Sequence, residues 1–338
     1  MQQKSRSGSP DTPREAATTN GRRPRRRWLR RFGIAALALV AVVAVSASFN
    51  LVMEKREKSA TKPYGERVPV AGGAMNVWQN GRTGRPTIVL LSGLGTPAPA
   101  LDFAPLIREL GDYNVVVVEG FGYGYSDMKA RPRTVDNITD ELHEVLGKVG
   151  VRKPYVLVGH SISGFYTLAY ADQYPKEVSA VVGIDPTVPA AKADAAAPAG
   201  GGINWGRVLA ATGVVRAVIS VAPSLADPPS DAYTAGELEQ MRRMTIWNFS
   251  NPALVDETRR IASNATALRG VSYASDLPVL TFLASESVDT IPGWVKQHED
   301  LLRNVTRKEI VVVDGAHYLH WTQASLLADK IDAFIGKN

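Results

Sequence analysis

The stretch VLVGHSISGF, residues 156–165, places two serines directly after a short apolar run and before a helix-like segment. A sharp turn from strand to helix exposes a serine hydroxyl for nucleophilic attack, and its strained backbone requires small residues two before and two after that serine. Ser161 has Gly159 and Ser163 at those positions. Ser163 instead has Phe165 two residues on, and its ring would clash. The sequence therefore predicts Ser161 as a nucleophile, with Ser163 in place of the commoner second glycine.

A serine hydroxyl is a weak nucleophile at neutral pH and needs a base within hydrogen-bond reach. Among the five histidines, His317 follows the last predicted strand directly and is a candidate base. His320, three residues on, is the alternative. The other three are less suitable. His143 lies off the apolar face of a helix, His160 lies inside the serine turn and His298 lies in a charged helical segment.

Other kinds of chemistry find little support in the residues. The chain has no cysteine, which excludes disulfides, thiolate metal sites and a cysteine nucleophile. No H-E-x-x-H motif or clustered His/Asp set is visible. The glycines of GFGYGYS, residues 120–126, do not complete the dinucleotide fingerprint G-x-G-x-x-G, because Tyr125 stands at the last glycine position. We predict neither a cofactor nor a metal.

The elements that would position these groups are short strands alternating with helices. The runs TIVLL (87–91), NVVVVE (114–119), YVLV (155–158), AVVGI (180–184), VLTFL (279–283) and EIVVV (309–313) are continuously apolar, as strands buried on both faces are. GGAMNVWQN (72–80) alternates like an early strand, and residues 135–149 carry one apolar helix face. This order predicts an α/β fold, a mostly parallel sheet with helices on both faces. Functional groups then collect in loops at the carboxyl ends of the strands.

Residues 187–275 interrupt the alternation for nearly ninety residues. They begin with an Ala-, Pro- and Gly-rich segment and continue as helix-like pieces such as ELEQMRRMTIWNF. A segment this long inside a compact domain is usually a lid or an inserted subdomain. We therefore predict an inserted helical cap over about 187–275.

Several ordered pieces resemble the α/β-hydrolase family over residues 68–336. VLLSGLG (89–95) looks like the family's strand and HG-x-G loop, with Ser92 for the usual histidine. VVVVEGFGYGYSD (115–127) is similar to its D-x-P-G-x-G-x-S-D stretch, with Glu119 for aspartate and Phe121 for proline. The serine turn, AVVGIDP (180–186) and DGAHYLHW (314–321) follow in the family's order. The resemblance implies that His317 is the base.

The resemblance leaves the third member of the triad open. In this family the acid usually follows the strand before the histidine loop, and the equivalent position here is Ser287, with Glu286 one residue early and Asp289 two late. Some members place the acid one strand earlier, where Asp185 stands. We favour Glu286, with Asp185 as the second choice and Asp289 as the third.

What the family resemblance implies for function is an ester-cleaving hydrolase with a Ser-His-acid triad and a small-molecule ester or acyl substrate. The backbone amides of Leu94 and Ile162 would bind the oxyanion. A serine at position 161 argues against epoxide hydrolase or haloalkane dehalogenase chemistry, which needs a carboxylate there. The alternatives are C–C hydrolase or perhydrolase chemistry on the same scaffold, or an inactive binding protein of this fold.

The N-terminal region carries most of the positive charge. Residues 1–62 hold 14 Lys and Arg against 4 Asp and Glu, whereas the remaining residues hold 25 against 29. Nucleic-acid binding would require basic residues clustered on a folded face, so this distribution argues against it. We predict a disordered basic cytoplasmic tail over residues 1–31, because Ser, Thr, Pro and Arg dominate it.

Residues 32–53 form an uncharged apolar run of 22 residues after seven arginines in residues 21–31. About 20 apolar residues span a bilayer as a helix, and the positive-inside rule keeps the arginines in the cytoplasm. We predict a single-pass transmembrane anchor followed by a polar stalk (54–67) and an extracytoplasmic catalytic domain (68–338). The alternative is a signal peptide cleaved near residues 46–48, which would yield a secreted protein.

Overall fold

A computed structural model describes residues 23–189 and 202–336 of the chain. Eight strands form one sheet in this part of the chain: β1 (Glu66–Val70), β2 (Gly73–Gln79), β3 (Thr87–Leu91), β4 (Asn114–Glu119), β5 (Tyr155–His160), β6 (Val178–Ile184), β7 (Val279–Ala284) and β8 (Lys308–Val313). Their spatial order is β1-β2-β4-β3-β5-β6-β7-β8. β2 pairs antiparallel with β1 and β4, and every other pairing is parallel.

Helices connect the strands and cover the sheet. They are α1 (Arg23–Ala60), α2 (Pro99–Asp102), α3 (Ala104–Glu109), α4 (Val135–Lys148), α5 (Ser163–Gln173), α6 (Trp205–Ala211), α7 (Val214–Val221), α8 (Ala235–Asn248), α9 (Pro252–Ala267), α10 (Ser285–Thr290), α11 (Trp294–Leu301), α12 (Leu319–Thr322) and α13 (Ala324–Ile335). The helix predicted over 135–149 is α4, and the Thr134 side chain caps it by accepting a hydrogen bond from the Asn137 amide.

The continuously apolar strands are buried on both faces. Successive side chains of a strand point to opposite faces, so Ile88 and Leu90 of β3 pack in one cluster with α3 and α13. Val89 and Leu91 pack in the other cluster with α4 and α5. The prediction of a mostly parallel sheet between two helical layers is confirmed.

In the described part of the segment between β6 and β7, four helices, α6 to α9, form a cap. Part of its Ala- and Pro-rich beginning, residues 190–201, lies outside the described residues. Ile219, Met244 and Trp247 of the cap are buried in one cluster with Ala98 and Ala104, beside the loop that follows β3. The cap therefore lies over the carboxyl edge of the sheet.

The boundaries at the N-terminus differ from the prediction. Residues 23–31 are the first part of α1 rather than a disordered tail, while residues 1–22 lie outside the described residues. Residues 54–60, predicted as stalk, continue the same helix, since Glu, Lys, Arg and Ala favour helix. The helix ends before Pro63, and β1 already begins at Glu66. What was predicted as a stalk over 54–67 is thus only a short link over residues 61–65.

Helix α1 is apolar enough and long enough to cross a membrane, the only such helix among the described residues, with a mean hydropathy of 2.4 over its most apolar window. Its C-terminal half contacts the cap through polar side chains. The Ser46 hydroxyl donates to the Thr212 carbonyl at 2.7 Å, and Asn50 Nδ2 donates to the Ala210 carbonyl at 3.2 Å. The Arg216 guanidinium donates to both oxygens of Glu57, at 2.5 and 2.9 Å.

Candidate active site

Ser161 lies in the sharp turn between β5 and α5, and its backbone has a φ of +54°. Few residues other than glycine adopt this left-handed conformation, and where they do the surrounding structure holds them in it. Hydrogen bonds hold this turn: the Ser161 amide donates to the Ile184 carbonyl at 3.1 Å, and the Ser161 carbonyl accepts from the Thr187 amide at 2.7 Å. The predicted strand–turn–helix around Ser161 is present.

The small residues around Ser161 are required by close approach of the backbone. A Cβ on Gly159 would lie 2.9 Å from the Ser163 carbonyl oxygen, so no larger residue fits there. Ser163 occupies the second small position, and its hydroxyl donates to the Ser92 carbonyl at 2.5 Å. The serine that replaces the commoner glycine therefore links the turn to the loop after β3.

Gly164→Ala is expected to lower the free energy of unfolding by about 1–3 kcal/mol, the usual cost of overpacking. A Cβ at Gly164 would lie 2.4 Å from the backbone oxygen of Thr187, which cannot move aside cheaply. Gly236→Ala is the matched control, because Gly236 is likewise the second residue of its helix and has nothing within 4 Å of the added Cβ. Denaturant unfolding of both variants in detergent measures the difference. Equal stabilities would contradict this account.

His317 lies in the loop between β8 and α12 and joins the serine to an acid. Its Nε2 is 2.8 Å from Ser161 Oγ, and its Nδ1 is 2.6 Å from Asp185 Oδ2. An ionised carboxylate only accepts hydrogen bonds, so Nδ1 carries the proton and Nε2 is free to accept from the serine hydroxyl. The structure brings together Ser161, His317 and Asp185.

Asp185 follows β6 directly, is fully buried and has a φ of +42°. Its carboxylate also accepts hydrogen bonds from Ser287 Oγ at 2.5 Å, Trp294 Nε1 at 2.9 Å and the Ala284 amide at 3.2 Å. Burial raises the pKa of this carboxyl, but the hydrogen bonds from His317, Ser287 and Trp294 outweigh it and hold the pKa below its ordinary value of 3.8. Asp185 therefore stays ionised at neutral pH.

The preference for Glu286 as the acid is corrected by this geometry. Glu286 and Asp289 lie on α10 with their side chains exposed, and neither carboxylate contacts His317. The reason is local: β7 ends at Ala284 and a helix starts at once, so Ser287 faces inward and the two acids face solvent. The residue at the usual acid position is thus a serine that donates to the acid on the neighbouring strand.

The loop after β3 lies beside the serine. A Cβ on Gly93 would be only 3.2 Å from Ser161 Cβ. Neither the Leu94 amide nor the Ile162 amide donates a hydrogen bond to another group in the described part of the chain. Two free amides next to Ser161 are the donors that a tetrahedral oxyanion requires, which agrees with the predicted roles of Leu94 and Ile162.

Two further histidines, His160 and His320, are buried beside the loop that carries His317. His160 is fully buried and its Nε2 lies 3.2 Å from the His317 carbonyl, while burial and the neighbouring His320 and His317 hold the pKa of its ring well below 6.5. His320 is also fully buried, with Nε2 2.7 Å from Asp102 Oδ2. His320 is therefore not a substitute base. Nothing in the sequence pointed to Asp102, since its partner lies 218 residues away.

A cavity of about 670 Å³ lies between the cap and the loop after β3. Its wall includes Gly95 and Thr96 from that loop and Gly206, Leu225 and Phe249 from the cap. Trp247 and Tyr233, by contrast, are buried in the packing of the cap. The cavity is mainly apolar, and Gly95 in its wall directly follows Leu94 in the chain.

The fold and the site together define a protein of the α/β hydrolase class. A sequence profile described as "Alpha/beta hydrolase family" matches residues 88–330, most of the chain. The chain belongs to the alpha/beta hydrolase family.

The matches to individual relatives span only part of each protein. The chain is 36% identical over 157 residues to the uncharacterized protein YbdG of Bacillus subtilis, a match that covers 46% of this chain and 48% of the relative. It is 27% identical over 172 residues to Lipase 3 of a Moraxella species, covering 46% of this chain and 52% of the lipase. The chain thus spans about half the length of these curated relatives.

Solved structures share the architecture at low sequence identity. A laboratory-evolved variant of a potato epoxide hydrolase superimposes with a TM-score of 0.64 at 16% identity, covering 82% of this chain and 100% of that one. A likeness at this level of identity concerns the fold alone.

Proposed function

We propose that this protein hydrolyses a carboxylic ester or a related acyl bond through an acyl-enzyme intermediate. The observation that carries the proposal is the continuous hydrogen-bonded chain from Ser161 Oγ through the His317 ring to Asp185 Oδ2, with distances of 2.8 and 2.6 Å. In this arrangement the Asp185 carboxylate accepts from His317 Nδ1, which leaves Nε2 to accept the proton of Ser161 Oγ.

In the first step, Ser161 Oγ attacks the acyl carbon while His317 Nε2 takes the hydroxyl proton. Asp185 holds the imidazole in orientation and stabilises its positive charge, and the imidazolium then donates the proton to the leaving alcohol. In the second step, water gives a proton to His317 and attacks the acyl-serine. The imidazolium returns this proton to Ser161 Oγ as the carbon–oxygen bond breaks and the acid leaves. The amides of Leu94 and Ile162 stabilise the negative oxygen in both steps, and loss of one such donor typically costs about 10²–10³ in rate.

Epoxide opening or halide displacement is the rival chemistry on this fold. Both proceed through an ester formed on a carboxylate nucleophile, and position 161 carries a serine. The similarity to Lipase 3 of the Moraxella species also favours ester cleavage. C–C bond hydrolysis or perhydrolysis uses the same triad, and substrate trials against diketones and peroxide separate these from ester cleavage. An inactive binding protein would have no use for the strained φ at both Ser161 and Asp185.

We further propose that α1 is retained as a membrane anchor, with the arginine-rich end in the cytoplasm and the catalytic domain outside. Cleavage near residues 46–48 would remove the Ser46 hydrogen bond to the cap and free the rest of α1 from its apolar part. We expect the protein to remain in the membrane fraction after alkaline carbonate washing, with its N-terminal segment intact by mass spectrometry. A soluble product beginning near residue 48 would contradict the anchor and favour secretion.

A fluorophosphonate probe tests the proposed activity directly. We expect the full chain in detergent to hydrolyse p-nitrophenyl butyrate and to carry one probe adduct on Ser161, identified by peptide mass spectrometry. Styrene oxide and chlorobutane should remain unconverted. Absence of an adduct in folded protein would favour a binding role, and turnover of the epoxide would overturn the assignment to acyl chemistry.

A further inference from the structure

The first two cap helices expose an apolar surface. Residues 202–225 contain no Asp, Glu or Lys, and eight of their large apolar side chains are exposed, among them Ile203, Trp205, Leu209, Val214, Val218 and Val221. Trp205 is 65% and Val221 87% exposed. We call this set the α6–α7 surface. Large contiguous apolar patches on a protein surface usually mark an interaction site.

Helix α7 carries apolar side chains on two adjacent sides, one buried and one exposed. Ile219 is buried in the cap core and Val215 packs beside it. Val214, Val218 and Val221, spaced i, i+4 and i+7, form a second apolar stripe that faces outward. An apolar side of a helix is ordinarily covered by other parts of the protein or by lipid. The cap core supplies one side, and the other side is open in the described structure.

The two arginines of this segment do not make the surface polar. The Arg207 guanidinium donates to the backbone carbonyls of Trp247 and Phe249. Arg216 donates to Glu57 and to Asn50 Oδ1, and only 12% of its side chain is exposed. Both charges are therefore turned into the protein, which leaves the outward side uncharged.

The contacts with α1 determine at which position along that helix the α6–α7 surface lies. Ser46 and Asn50 hydrogen-bond to the last turn of α6 and the residue after it, and both lie within the last eight residues of the apolar run 32–53. At about 1.5 Å per residue, the distance along the helix from residue 32 to residue 50 is about 27 Å, close to the thickness of a bilayer core of about 30 Å. The α6–α7 surface thus lies where a bilayer spanned by α1 would end.

We propose that the α6–α7 surface lies in the outer leaflet of the membrane that α1 spans, and that the substrate is a long-chain acyl ester dissolved in that leaflet. The proposal rests on the proposed function for its substrate and on the anchor for its orientation. Gly206 of α6 and Leu225, just after α7, both line the cavity whose opposite wall includes Gly95 and Thr96 of the loop after β3. An acyl chain of the substrate that enters past α6 and α7 passes from the lipid to the loop after β3 without crossing water.

Because the chain has no cysteine, single cysteines carrying a bimane dye report the position of this surface. Full chain bearing Leu209→Cys or Val218→Cys is reconstituted in phosphatidylcholine vesicles with a minor share of phosphatidylglycerol. Leu326→Cys is the control, since Leu326 is exposed on α13, outside the cap. We expect brominated phosphatidylcholine to quench the two cap probes about threefold or more above the control, as for an interfacial helix. Equal quenching at all three sites, or disulfide-linked dimers through position 218, would overturn the proposal.

The substrate class is tested with Val221→Asp, which places a charge in the outward stripe without touching the cavity. We expect KM for monoolein in vesicles to rise about tenfold or more, since a charge in lipid costs at least about 1.4 kcal/mol. Turnover of p-nitrophenyl acetate in water should not change. An unchanged KM for monoolein would overturn the leaflet-delivered substrate. If wild-type protein hydrolysed neither ester while the probes were still quenched, the proposed function would fail and the lipid-facing surface would stand.

Discussion

Replacing Asp185 by Asn is expected to lower kcat/KM for an ester by about 10⁴, the effect known for this change in a serine triad. The side chain keeps its shape, but Trp294 Nε1 donates to the oxygen away from His317 and keeps the amide oxygen on that side. The amide NH2 then faces Nδ1 and donates to it, so Nε2 carries the proton and cannot accept from Ser161 Oγ. His317 is then fixed in the wrong tautomer. The measurement is steady-state hydrolysis of p-nitrophenyl butyrate by the full chain in detergent.

Glu286→Gln is the matched control for this prediction. Glu286 is exposed on α10 and has no contact with the histidine ring, so we expect its activity to stay within a factor of about two of wild type, as for ordinary surface substitutions of at most about 0.5 kcal/mol. Thermal unfolding of both variants checks that they fold. Near-normal turnover by Asp185→Asn, or strong loss with Glu286→Gln, would show that the third group lies elsewhere.

The second large effect concerns the nucleophile. Ser161→Ala should lower kcat by about six orders of magnitude and abolish labelling by a fluorophosphonate, because no other group in this position can form the acyl-enzyme. His317→Ala should have a similar effect, since the two residues act as a unit.

Ser163→Ala distinguishes the two serines of the turn. The Ser163 hydroxyl is buried and donates to the Ser92 carbonyl, so its loss should cost about 1 kcal/mol of stability while the probe still labels Ser161. If Ser163→Ala removed labelling and Ser161→Ala retained it, the choice between the two serines made on steric grounds would be wrong.

The local parts of the site could be predicted from the sequence because they depend on neighbours along the chain. Small residues on either side of Ser161 predict a strained turn, and the φ of +54° agrees with it. The apolar runs predict the strands almost to the residue; β3 and β4, for example, begin and end where expected. His317 was found because it follows a strand whose carboxyl end must lie at the active edge.

The acid could not be predicted in the same way. The loops after β6 and β7 open at the same edge of the sheet, and both carry carboxylates. Which carboxylate reaches the imidazole depends on tertiary contacts, here the hydrogen bonds of Ser287 and Trp294 to Asp185 across 102 and 109 residues. The presence of Ser287 at the usual acid position was the available signal, since it indicated that the acid had moved.

The attachment of α1 to the cap means that the cap connects this helix to the catalytic body. Glu57 is held by Arg216 and by Trp247 Nε1 at 3.0 Å, whereas only residues 61–65 link α1 to β1 along the chain. The cap is fastened to the body in turn, since its buried side chains pack in one cluster with Ala104. A force applied to α1 would therefore reach the sheet through the cap as well as through the short link.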